Sequence, residues 1–145
     1  MTKNITNRIL LIALYLLIDL VVIGMGMGVP IFAILLGFVI GWFYPHAYML
    51  AHPGVNPSPK AILVVSFLTA SFTFVVMAVI WLPTLRMLNM PEADLTNFGI
   101  PMILYEPLPS FIGWIVLMVV ISPFLQGLTT VFGALVRLTF KTPNN

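Results

Sequence analysis

"LLIALYLLIDLVVIGMGMGVP", Leu10–Pro30, decides the fold. An apolar run carries one carboxylate, Asp19, and then passes into a glycine–methionine alternation that ends at a proline. Three glycines loosen the backbone, and Pro30 suits the first turn of a new helix. The run therefore reads as one membrane-crossing helix, a tight turn and the start of a second helix, rather than one very long helix. Gly24, Gly26 and Gly28 have the wrong spacing for a dinucleotide-binding turn, and no strand precedes them.

The rest of the chain continues the pattern. Apolar spans are expected at about residues 9–25, 30–48, 61–82 and 111–140. About 20 residues cross the hydrocarbon core, so the first two are short and the last is long. Pro123, after Ser122, is the expected kink in the last. Of the 145 residues, 61% are hydrophobic and only 7% charged, with a mean hydropathy of +1.12. Soluble domains carry about 25% charged residues, so this inventory has too little charge for a water-facing surface. The expectation is an all-α polytopic membrane protein. It is a single domain of four transmembrane helices with a tight first hairpin and a long apolar external loop, 83–110.

Positive charge near the span ends sets orientation. Lys3, Arg8, Lys60, Arg137 and Lys141 fall on one side of a four-span chain, and Arg86 falls opposite with Glu92, Asp94 and Glu106. Both termini are expected in the cytoplasm, and the cell membrane is the expected location. Trp42, Tyr44 and Tyr48 would mark the inner interface, and Trp81, Tyr105 and Trp114 the outer. Lys3 and Arg8 before an apolar run also fit a signal peptide. Asp19 is unusual in one, and a retained span is preferred. Asn4-Ile5-Thr6 matches a glycosylation sequon but falls on the cytoplasmic side. In the external loop, "NMPEADLTNFG", Asn89–Gly99, reads as a short helix opened by Pro91 and ended by Gly99. No internal repeat is visible.

Asp19 is the sharpest chemical feature. A central aspartate costs roughly 2.5–3.5 kcal/mol on the insertion scale. No lysine or arginine lies deep in a span, so a neutral, hydrogen-bonded Asp19 is the expected state. Its expected partners are polar residues at matching depth: Thr73 on the third span, and Ser122, Gln126 and Thr130 at four-residue spacing on one face of the fourth. Such a seam admits two roles. One is a hydrogen-bonded peg between helices, the other a proton or cation relay. A lone acid without a second titratable partner favours the peg.

Ala33, Gly37 and Gly41 make a small-residue ridge on the second span, where two helix backbones can approach closely. It would pack within the bundle, against the first span for instance, or serve self-association.

The remaining candidates are weaker. His46 and His52 are six apart with prolines nearby, which does not make a helical metal pair. Glu92, Asp94 and Glu106 lack an EF-hand pattern. The nine methionines lack the clustering of a Cu(I) site. There is no cysteine, which excludes thiolate chemistry, and no nucleophile–base arrangement is readable. No cofactor, metal or nucleic-acid partner is expected. The net charge of +2 comes from residues scattered singly at span ends. The sequence therefore points to a small integral membrane protein, a non-catalytic oligomerising or accessory subunit. Its partners would be the lipid bilayer, itself or a larger membrane complex. The alternative is a proton- or cation-dependent transporter or channel subunit that uses Asp19.

Overall fold

A computed structural model describes residues 2–25, 31–90, 95 and 106–140, and only the backbone of residues 2–8, 11 and 22–25. The elements are α1 (Thr2–Met25), α2 (Ile31–Ala51), α3 (Pro59–Trp81), α4 (Pro107–Val116) and α5 (Ser122–Phe140). A 3-10 helix, Leu82–Asn89, continues α3, and a π-helical turn, Leu117–Ile121, joins α4 to α5. The described residues form helices and no strand. Three helical stretches are long and apolar enough to cross a membrane: 31–51, 59–89 and 107–140. α1 contributes a shorter apolar stretch, 12–21. The chain is thus a helical membrane protein. The first hairpin's 26–30 turn and most of Asn89–Gly99 lie outside the described residues.

Local chemistry sets the ends of these helices. Ser58 caps α3, its hydroxyl accepting from the Ala61 amide at 3.2 Å, and Pro59 takes the position where no amide is needed. Between α2 and α3, Pro53-Gly54 turns the chain. The Val55 amide donates to the His52 carbonyl at 3.1 Å, and Gly54 has φ +80°, the conformation the third residue of a type II turn requires.

Pro45 and Pro123 lie inside membrane helices. Pro45 is buried within α2 and withholds a donor from the Gly41 carbonyl. Pro123 likewise withholds a donor from the Val119 carbonyl. The irregularity falls one turn earlier: the Ser122 amide reaches back five residues to the Leu117 carbonyl. The helix thus accommodates Pro123 through a wider turn immediately before it.

The tightest seam joins α2 to α5. A Cβ at Gly41 would overlap the Thr130 carbonyl oxygen, and one at Gly133 would overlap the Phe38 carbonyl oxygen. At Gly37 it would lie 2.6 Å from Thr129 Oγ1. The Ala33–Gly37–Gly41 ridge therefore faces α5 and not the first span. Thr129 Oγ1, on α5, donates to the Ile34 carbonyl of α2 at 2.7 Å across this seam.

The larger side chains gather at the opposite end of α3. Met77, Trp114 and Met118 form one buried cluster, and Phe111, Ile115 and Val119 another. Trp81 touches both, edge-on to Trp114. Trp114 is 5% exposed, so it fills the core instead of marking the lipid–water interface. Leu85 and Leu95 pack on the second cluster, drawing that end of the loop back onto the bundle.

Candidate functional site

α1 turns one narrow face inward. Ile18 is 42% exposed and Leu20 52%, yet Asp19 between them is 0% exposed. Tyr15, one turn earlier on the same face, is half-buried and packs its ring 6.2 Å from that of Phe72 on α3. A helix places residues four apart on one side, so Tyr15 and Asp19 form a single inward stripe.

The Asp19 carboxylate meets two other helices. Thr73 Oγ1, on α3, donates to Oδ2 at 2.8 Å. Gln126 Nε2, on α5, donates to Oδ1 at 3.3 Å. Each carboxylate oxygen thus has one partner, and three helices converge on one acidic group. Thr73 and Gln126 are both 0% exposed. On α3 and α5 the basic side chains lie near the helix ends: Lys60 is thirteen residues from Thr73, and Arg137 eleven from Gln126. At about 1.5 Å per residue these separations are roughly 20 Å and 16 Å along the axes. Arg137 instead lies over the Trp42 ring at 5.4 Å.

The other two residues of the anticipated seam behave differently. Thr130 Oγ1 donates to the Gln126 carbonyl of its own helix at 2.8 Å and does not reach Asp19. Ser122 is 0% exposed, one turn before Gln126, and its hydroxyl has no hydrogen-bond partner among the described residues. Gln126 Oε1 is also buried without a partner among the described residues, and the buried Tyr15 hydroxyl lies beside Thr73.

Two contributors, Tyr15 and Gly133, escaped the sequence reading, and Ser66, one of the polar residues expected along the third span, bonds away from Asp19. Tyr15 was visible only through its four-residue offset from Asp19. Ser66 Oγ donates to the Gly127 carbonyl at 2.7 Å and ties α3 to α5. Gly133 completes the close approach of α2 and α5; small residues on the last span were the available signal.

Comparison with known protein families, curated proteins and solved structures gives no match.

Elsewhere the candidates stay apart. His52 stacks on Tyr48 at 4.6 Å and its Nδ1 lies 3.2 Å from the Tyr48 carbonyl oxygen, a local arrangement at the end of α2. His46 is exposed. Glu106 is the N-cap residue of α4, where its side chain makes no capping bond. Glu92 and Asp94 lie outside the described residues. The described residues include no group of three or more acidic or histidine side chains placed to hold a metal. Chemically, the Asp19 site is a single acid in a low-dielectric interior, bonded by one hydroxyl and one amide. Such an arrangement can join helices or hold a positive charge.

Proposed function

We propose that this chain is a small integral membrane subunit of four crossings, with both termini cytoplasmic, that acts by packing with itself or with a larger membrane complex. The observation that carries the reading is the attachment of α1. Its inward stripe is fastened by Asp19 to Thr73 and Gln126, while Leu10, Ile12, Leu14, Leu17 and Leu20 face outward, each at least 50% exposed. Beside it, an apolar groove of about 600 Å³ opens between α1, α2 and α3, lined by residues such as Ile12, Leu16, Phe43 and Leu68. A helix pinned at one polar point and apolar elsewhere is suited to being covered by another helix. In lipid, such contacts gain from close packing rather than from a hydrophobic drive.

The test is the mass of the particle recovered in mild detergent. The reading expects a stable assembly larger than one chain, reduced by polar substitutions on the outer face of α1 such as Leu17→Gln. A monomer under all mild conditions overturns it.

A second reading, a cation- or proton-dependent transport subunit, is favoured by the unpartnered oxygens near Asp19. Flux in liposomes that is lost in Asp19→Asn would displace the first reading.

A further inference from the structure

We infer that Asp19, Thr73, Gln126 and Ser122 form a buried binding site for one monovalent hard cation of sodium's class, which replaces a proton on Asp19. The inference rests on the second reading above, extends it to the ligand, and holds whether or not the chain assembles with partners.

Three observations converge. The first is the donor set. Around the carboxylate stand the Thr73 hydroxyl and Gln126 amide that contact it. Two further oxygens, Gln126 Oε1 and Ser122 Oγ, are buried without partners among the described residues. Buried oxygens are rarely left unpaired, because each forfeits its hydration. Carboxylate, carbonyl and hydroxyl oxygens suit hard cations, whereas soft ions favour sulfur.

The second is direction. Side chains on a helix lean toward its N-terminus. Gln126 therefore leans back toward the level of Ser122, one turn earlier on α5, and Asp19 leans back toward Tyr15, one turn earlier on α1. The two unpartnered oxygens thus belong to the one face of α5 that meets the carboxylate.

The third is charge. One carboxylate neutralises one monovalent cation. A divalent ion would leave an uncompensated charge in the interior, which is strongly unfavourable. Among the described residues on the contacting helices, Tyr15 is the titratable neighbour. Lys60 on α3 and Arg137 on α5 are removed toward the helix ends, so neither supplies the counter-charge. A proton on Asp19 gives Gln126 Oε1 a donor once the amide turns over, but leaves Ser122 unserved. A cation would serve both.

The experiment measures the unfolding midpoint of the full chain in detergent, in sodium chloride against choline chloride at equal ionic strength. A ligand that binds the folded state alone stabilises it by mass action. Sodium is expected to raise the midpoint over choline. Because one proton leaves as one cation binds, the sodium needed for half the effect should fall roughly tenfold for each pH unit gained while the two compete. Ser122→Ala should demand about tenfold more sodium, the loss expected for one ligand-supporting group. Asp19→Asn should abolish the shift.

Equal midpoints in sodium and choline at every pH overturn the proposal, and the oxygens then hold water or only a proton. So does a sodium shift that survives unchanged in Asp19→Asn or Ser122→Ala. Should Asp19→Asn fail to fold, the native comparison and Ser122→Ala still decide. A sodium-blind assembly removes this site and leaves the subunit reading standing; a sodium-sensitive monomer does the reverse.

Discussion

α2 and α1 are held in this bundle by opposite means. α2 lies backbone against backbone on α5, with Gly37, Gly41 and Gly133 leaving no space for a side chain. α1 exposes most of its apolar surface and is fastened at Asp19, a single acidic group between Thr73 and Gln126. Between membrane helices, lipid is as apolar as leucine, so association depends on dispersion across a close fit or on polar bonds. α2 uses the first and α1 the second. A seam of interlocked backbones is stiff and indifferent to pH or ions. A joint made by one carboxylate is weak, specific and open to chemical control. Of these two joints, the one at α1 is the one a proton or cation would act on.

The largest effect should come from breaking the stiff seam. Gly41→Leu or Gly133→Leu forces a side chain into the partner helix's backbone. Overpacking ordinarily costs about 1–3 kcal/mol, and a backbone obstacle puts these at or above the upper end. Denaturant unfolding in micelles should show loss of the folded state. Gly37→Leu should follow closely, and an unaltered midpoint there would take the ridge out of the account.

Next comes the acid. Asp19→Leu removes both bonds to α1 while relieving an insertion penalty of roughly 2.5–3.5 kcal/mol. α1 should insert at least as well yet lose its fixed position. Disulfide trapping reads this directly. Yield for the Tyr15→Cys/Phe72→Cys pair should drop severalfold in Asp19→Leu, while Phe38→Cys/Phe132→Cys, across the α2–α5 seam, should be unaffected. Equal losses in both pairs would erase the distinction between the two joints.

Smaller still is Thr73→Val. Hydrogen bonds between membrane helices average about 0.6 kcal/mol, with a maximum near 1.7. A double-mutant cycle with Asp19→Asn should return a coupling in that range. The least effect is expected from Gly127→Ala. Its Cβ would stand 3.3 Å from Ala70 Cβ and from Ser66 Oγ, a small overlap that a hydroxyl can relieve. A change under about 1 kcal/mol is expected, since a single methyl is the least overpacking. A loss matching Gly41→Leu would show that α3 is held as rigidly as α2.

Much of the helical framework was legible because its cause is local. Composition and run length name the solvent, whereas the equally local Ser58-Pro59 start falls in what the sequence reading leaves as loop, ahead of a span expected from 61. Pro123 announced an irregularity, although the wider turn forms ahead of it, where the orphaned carbonyl lies. Pro45 gave no such warning: helix α2 continues through it. Trp114 shows the limit of reading aromatics as interface markers. Its depth along a span is local information, but its burial against Met77 and Met118 depends on which helix arrives beside it.

The site was legible to the same extent. An acid in an apolar run stands out alone, and a four-residue spacing locates polar residues on one face. What a hydroxyl then does is another matter. Thr130 bonds back to its own helix, whereas Thr73 and Ser66 reach across to others. Serine and threonine have both options in any helix, and the choice waits on the distance to the neighbour.

By itself, then, the sequence determined the lipid-facing character of this chain, its helices, and the presence of one acid requiring compensation, because these follow from side-chain transfer energies and nearest-neighbour backbone preferences. Only the tertiary structure decided that the glycine ridge of α2 meets α5, and that Asp19 is met by Thr73 and Gln126, 54 and 107 residues away. Those choices arise from shape fit between helices far apart along the chain, and shape fit has no local signature.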